Sequence, residues 1–413
     1  MVAADFFLVT DSCVPTQRVD TRDVTRNCPH MRIVHLQHPY IPNMGYQENH
    51  LPAKQRELGH DVHIITSDVV PDKFDNGNYS FDTGIFEYNG VPVYRNKGYS
   101  IEGEAATAIP GAIKKIRDLD PDVIHSHRLV SFLSPISMFS SLGTDAKLFF
   151  DLHFDNGNFN LDTKFKRLMY RSFTKFVMPT IENHSDGFIA VNNFSESFLK
   201  DNLQVDDSNI HFLPLGSDTD LFYPCEQERE ETRERLGVAQ DDILLIHSGN
   251  INRSKNTKAI IESISGFESI TLLILGNIDD EYRAELEEVA GSLDIRSNII
   301  FHEFVEHSQL SRFYNAADIG IWPGKLGITI IEAVACGLPV IIDRSDATKF
   351  VVSNGNGFMI DEANVTDIEN CLTNYVECGS LLEDHSKNAV QLAKTELSWD
   401  VIAEKSIEIY RSG

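Results

Sequence analysis

The stretch Asp318-Ile-Gly-Ile-Trp322-Pro-Gly324-Lys-Leu-Gly327-Ile328-Thr-Ile-Ile-Glu332-Ala-Val-Ala-Cys336-Gly337-Leu-Pro339-Val-Ile-Ile342 decides the fold. It reads as a buried strand, a glycine-bearing turn, a short helix over 328–336, a glycine stop and a second strand. Such a unit aims the free N–H groups and the positive dipole end of its helix at one spot, which suits a phosphate-sized anion. An ordinary βαβ connection has the same pattern without a ligand, so the rest of the chain must decide between them.

Working outward, apolar runs at 243–246, 271–275, 299–301, 319–321 and 339–342 alternate with helical patterns. A second series upstream places strands at 33–36, 62–65, 123–124, 148–150 and 188–191, with helical patterns at 49–58 and 108–119. Gly59 stands where a helix C-terminus needs a left-handed residue. Continuous apolar strands separated by helices predict parallel sheets buried on both faces. The fold class is therefore α/β, with two Rossmann-like, doubly wound domains facing a central cleft. Pro214 and Pro224 bracket a linker, followed by the charged run 226–235. The expected units are an N-terminal extension over 1–30 outside the folded body, a first domain over 31–215, a second over 216–395, and a C-terminal helix over 396–413 crossing back onto the first domain.

At 413 residues the chain is long enough for two such cores. A formal charge of −26 argues against a nucleic-acid binder, because phosphate contacts need net positive surface. Residues 1–30 are broken by charges and read as no signal peptide. Six cysteines without C-x-x-C spacing suggest reduced thiols in a cytoplasmic protein. No G-x-G-x-x-G follows a strand, and 320–326 lacks both the length and the Ser or Thr of a P-loop.

The segment Gly249-Asn-Ile-Asn-Arg253-Ser-Lys255-Asn-Thr-Lys258 follows a strand and opens a helix. Cations there can neutralise a departing diphosphate, and a solvated basic turn is the plain alternative for each. His125 and His127 sit at another strand's end, but no carboxylate or third histidine is evident to complete a metal site, so no metal is expected. The run 164–178 alternates Lys164, Lys166, Arg167, Arg171 and Lys175 with Phe165, Leu168, Met169, Phe173 and Phe176. It suits either a core-packed helix with a solvated basic face or contact with an anionic membrane.

Taken in order, Gly45-Tyr-Gln-Glu48, 58–62, 213–222, Gly249 with Lys255, Gly327, Glu332-Ala, 335–340, 354–358 and Trp399 to Tyr410 resemble the retaining glycosyltransferases of family four, which have the GT-B fold. The resemblance implies a sugar transfer from a nucleotide-diphosphate-sugar donor, with no separate cofactor, to a saccharide or lipid-linked acceptor. It also implies a setting in cell-envelope polysaccharide or glycolipid assembly, on the inner face of the membrane. By the same resemblance Glu332 would hold the donor ribose, Gly327 and Ile328 the distal phosphate, and Lys255 its charge, with Gly45 and Gly249 lining the donor site; Arg253, or Lys258, is the candidate to replace the charge of the arginine that the family has at position 250. His153 would lie near the transferred sugar. Two positions depart from the family. Gly324 stands where a glutamate usually contacts the donor sugar, and Asn250 replaces an arginine. Two alternatives stay open: a nucleotide-sugar epimerase of the same architecture, and a non-catalytic nucleotide-sugar-binding subunit.

Overall fold

A computed structural model describes residues 29–42, 44–70, 81–100, 107–154, 163–324, 327, 329–361 and 363–413. Residues 1–28 of the expected extension, and Ile328, lie outside the described residues.

Two sheets organise the chain. The first has eight strands in the order Ile210–Phe212, Gly187–Ala190, Lys147–Leu152, Val123–Ser126, Arg32–Leu36, Asp61–Ser67, Val91–Asn96 and Gly84–Tyr88. All its pairings are parallel except the last, a hairpin at the edge. The second has six parallel strands: Ile299–His302, Ile270–Leu275, Ile243–Ser248, Ile319–Trp322, Val340–Asp343 and Gly357–Ile360. The central strands are buried along nearly their whole length, because helices cover both faces of each sheet. In each sheet the first strand of the series lies between the second and a later one, so the chain departs in opposite directions from their carboxyl ends. A crevice opens at such a switch point.

The C-terminal helix Trp399–Ser412 packs against the helix Gln47–Glu57 on the first sheet. Its buried face (Trp399, Ile402, Ala403, Ile407, Tyr410) joins the core formed by Ile33, Leu51, Val62 and Phe149. Burial of an aliphatic side chain of this size is worth about 1.5–3 kcal/mol, so the helix is held firmly. The linker pairs with the approach to this helix: Ser217 N–H donates to Leu397 O (2.6 Å) and Trp399 N–H to Ser217 O (3.1 Å). A β-carbon at Gly216 would lie 2.9 Å from the Trp399 ring and 3.0 Å from Leu397 O, so only glycine lets the two segments approach this closely.

Candidate functional site

Glu332 sits on the helix Thr329–Ala335, whose other side chains from Ile330 to Ala335 are buried and fix its orientation. This helix is two turns long, shorter than the sequence pattern suggested. Glu332 is 2% exposed. Its Oε1 lies 2.7 Å from His307 Nε2, while Oε2 is buried with no hydrogen-bond partner. A carboxylate oxygen left unmatched in the interior costs about 1–3 kcal/mol, so it marks a place where a donor from outside the chain would be welcome. The bond to Glu332 raises the His307 pKa above the ordinary histidine value. The His307 ring meets the linker residue Phe222 edge-on, with centroids 5.2 Å apart. The loop before the first helix closes over this pair. A β-carbon at Gly45 would lie 2.8 Å from His307 Nε2 and 3.4 Å from Glu332 Oε1. Gly45 from one half and Glu332 from the other therefore share one crevice.

Gly249 ends the strand Ile243–Ser248 in a left-handed conformation (φ 127°) and donates its N–H to Leu275 O. The short 3-10 turn Arg253–Lys255 follows, its start capped by the Asn252 side chain. Here the sequence expectation needs correction. Arg253 faces outward, 2.8 Å from Glu285 and 3.4 Å from Glu281, with its guanidinium over the Tyr282 ring. Both carboxylates and the ring belong to the helix Asp280–Ser292. Lys258 is likewise exposed, 3.8 Å from Glu262. The turn presses against Gly324, where a β-carbon would lie 2.6 Å from Ser254 O and 3.1 Å from Lys255 Cα. Backbone thus fills the room that a glutamate at 324 would need. Burial lowers the pKa of His247 to about 4, with the Lys255 charge adding a little, and burial raises that of Asp343 against the same charge. The Lys255 backbone, 3.1 Å from where a β-carbon on Gly324 would stand, sets this cation of the turn beside Gly324. Gly327 is exposed just before the Glu332 helix.

The expectation that nothing completes the His125–His127 pair is overturned. Asp151 is fully buried, with its Oδ2 2.5 Å from His127 Nδ1. His153 Nε2 (3.1 Å) and His125 Nε2 (3.3 Å) approach the same oxygen without hydrogen-bond alignment. His35 Nδ1 lies 3.0 Å from His127 Nε2. Arg128, in a left-handed conformation (φ 68°), turns its N–H onto Asp151 Oδ1 at 2.9 Å. Two sets of three ligand-type residues arise, His35–His125–His127 and His127–Asp151–His153. Spacing along one strand could not show that neighbouring strands bring Asp151 and His35 alongside. Neighbouring charge separates the pKa values. Burial lowers those of His35 and His125, the latter to about 4. Asp151 overcomes the burial of His153 and raises its pKa, with Glu48 adding and Arg128 opposing. Among the described residues Cys336, Cys371 and Cys378 are free thiols, the first two buried and the last exposed.

Two family models match in succession, Glycosyltransferase Family 4 over residues 50–221 and Glycosyl transferases group 1 over residues 228–392, and between them they take in most of both sheets. The chain belongs to the group 1 glycosyltransferases. Among similar curated proteins of this family, a D-inositol 3-phosphate glycosyltransferase of Xylanimonas cellulosilytica is 28% identical over 50% of this chain and 52% of its own length. A GDP-mannose-dependent phosphatidylinositol monomannoside mannosyltransferase of Corynebacterium glutamicum is 26% identical over 48% and 55%. The chain spans about half the length of the curated relatives it matches. Similar solved structures include the Anabaena HepE protein in complex with UDP (TM-score 0.69, 16% identity, 93% of this chain and 100% of that one) and a glycosyltransferase of Rickettsia africae (0.67, 18%, 92% and 98%). The fold of this group 1 glycosyltransferase is GT-B, two parallel-sheet α/β domains about a cleft.

Proposed function

We propose that the protein transfers a sugar, with retention of anomeric configuration, from a nucleotide-diphosphate-sugar donor to a hydroxyl of a saccharide or lipid-linked acceptor. The observation that carries this reading is the buried, unpartnered Oε2 of Glu332 beneath the Gly45 loop. A carboxylate there accepts a ribose hydroxyl, while the His307 N–H keeps its other oxygen oriented. Lys255, at the turn packed against Gly324, supplies positive charge for the departing diphosphate, and Gly327 leaves backbone N–H accessible beside it. Closure of the two halves brings donor and acceptor together and removes water. Support also comes from the neighbour solved with UDP and with UDP-glucose, and from relatives named for inositol-phosphate and phosphatidylinositol-mannoside substrates.

Contact with an anionic membrane through 164–178 belongs to the same reading. Tyr170, Phe173 and Val177 pack on the first core, while Leu168 (64%) and Phe176 (67%) are exposed among Lys164, Arg167, Arg171 and Lys175. Exposed apolar groups among cations suit a surface of acidic lipids. No helix among the described residues is long and apolar enough to cross a membrane. The setting is envelope polysaccharide or glycolipid assembly at the cytoplasmic face. A thermal-shift series with UDP, GDP, ADP and their sugars tests the reading, because a ligand of the native state raises the melting temperature. One nucleotide should stabilise the protein and support sugar transfer to an added acceptor. If none binds, the reading fails, and if a donor is converted without an acceptor, the chemistry is epimerisation.

A further inference from the structure

The strand Val340–Asp343 ends in a carboxylate that the donor site described above does not use. Period-two alternation fixes the side on which it lies. Val340 and Ile342 enter the core shared with the Glu332 helix, while Ile341 enters the opposite core, beside Ile260 and Ile261 of the helix Thr257–Ser263. Asp343 takes the side of Ile341, the side covered by the helix that begins two residues beyond Lys255. Its Oδ1 is buried without a hydrogen-bond partner, and its side chain makes no ion pair among the described residues. The neighbouring strand Ile319–Trp322 runs alongside, with Trp322 opposite Ile342 as the last pair. Asp343 stands one residue past that pair and Gly324 two, so both lie at the carboxyl edge of adjacent strands. Gly324 offers no side chain there, and the surroundings of its missing β-carbon are held by Ser254 O (2.6 Å) and Lys255 Cα (3.1 Å). The charge of Lys255 reaches Asp343, where it opposes the rise in pKa that burial causes. A cation and an unmatched carboxylate oxygen therefore share the edge beside Gly324.

We infer that Asp343 is a specificity-determining residue of the donor site, accepting a hydrogen bond from a hydroxyl of the sugar that is transferred. The inference rests on the transferase reading, which sets the diphosphate at Lys255, and adds to it the group that reads the sugar. The sugar is bonded directly to the distal phosphate, so groups flanking Lys255 come within its reach. Gly324 supplies no side chain there and Arg253 is engaged by Glu281 and Glu285, whereas Asp343 presents an oxygen without a partner. An ionised carboxylate accepts hydrogen bonds and donates none, so it takes a hydroxyl and turns away another anion. A hydroxyl also relieves the cost of leaving a buried oxygen unmatched. Lys255 offsets the repulsion between this carboxylate and the diphosphate. The ligand class is a neutral sugar with a free hydroxyl at the contact. A sugar that turned a carboxylate or a deoxy carbon to this position would be disfavoured.

Calorimetric titrations of UDP, UDP-glucose, GDP, GDP-mannose, ADP and ADP-glucose into the full chain identify the nucleotide. The same nucleotide and its sugar are then titrated into Asp343→Ala and Asp343→Asn, with melting curves to confirm folding. Asp343→Ala should raise the Kd of the nucleotide sugar roughly 10–150-fold, the worth of one hydrogen bond to a charged group, and leave that of the bare nucleoside diphosphate within about twofold. Asp343→Asn keeps the shape and an acceptor oxygen, so its loss should be smaller, roughly fivefold, and it gives the readout even where Ala unfolds the protein. Donors lacking one sugar hydroxyl complete a double-mutant cycle: the deoxy sugar that costs the wild type affinity should cost Asp343→Ala nothing further. An unchanged Kd for the nucleotide sugar in both variants overturns the contact. Equal losses for the sugar and the bare nucleotide overturn it too, because Asp343 would then act on Lys255 and the diphosphate alone. Wild-type protein that binds neither form overturns the transferase reading and this contact with it, whereas binding of both forms with no selective loss in the variants overturns the contact alone.

Discussion

Glu332→Ala probes the donor site most sharply. The carboxylate is 2% exposed, one oxygen is held by His307 at 2.7 Å, and the other is buried and open to a ligand. A hydrogen bond to a charged group contributes about 1.5–3 kcal/mol. At about 1.4 kcal/mol per factor of ten, its loss weakens nucleotide binding by roughly 10–150-fold. Glu332→Gln retains an oxygen for His307 and places an amide where the open oxygen stood, so a neutral contact replaces a charged one. That difference is about 1 kcal/mol, or roughly fivefold. Calorimetric titration of the stabilising nucleotide into each protein gives the series, with melting curves to confirm that each variant folds. The order wild type, Gln, Ala in decreasing affinity is expected. Equal affinity for wild type and Glu332→Ala would remove the carboxylate from the donor site.

Further outcomes follow from neighbouring residues. Arg253→Ala removes two exposed ion pairs and the cation–π contact with Tyr282, so the melting temperature should shift only slightly and donor KM should hold, whereas Lys255→Ala should lower kcat in steady-state kinetics. Gly324→Glu, which restores the family's residue, meets the backbone of the 253–255 turn and should destabilise by about 1–3 kcal/mol in urea unfolding. The His307 pKa is raised by Glu332, so the stabilisation from this pair is fully present below about pH 6.5 and is lost as pH rises through the folded value. The melting-temperature gap between wild type and His307→Gln should therefore be larger at pH 6 than at pH 8. His125 and His247 have the opposite sign: both are lowered to about 4 by burial, so unfolding free energy should fall as pH drops from about 6.5 towards 4.

Much of the architecture was legible because buried parallel strands are continuous apolar runs. Ile243–Ser248 and Ile270–Leu275 announce themselves this way, and Gly59 takes the left-handed conformation (φ 93°) that its place after a helix suggested. The hairpin Gly84–Tyr88 and Val91–Asn96 escaped notice. It lies at a sheet edge, includes Pro92, and exposes much of its first strand, so no apolar run marks it. Glu332 stood out through its turn-and-helix setting. His307 did not, because its role arises only when its loop meets Gly45 and Glu332 across the cleft. Arg253 misled for a related reason: the carboxylates that hold it come from a helix some thirty residues onward. Asp151 hid inside the strand Lys147–Leu152, because the sequence alone does not show that an acid at the end of an apolar run is fully buried. Its three histidine neighbours arrive from the adjacent strand Val123–Ser126 and the residue just beyond it, and from its own strand's end.

The most direct test of the account is a crystal structure of the protein with the nucleotide diphosphate that stabilises it most. The account predicts a ribose hydroxyl within hydrogen-bond distance of Glu332 Oε2 and the distal phosphate beside Lys255. A nucleotide bound elsewhere, with the Glu332 oxygen still unmatched, would contradict it.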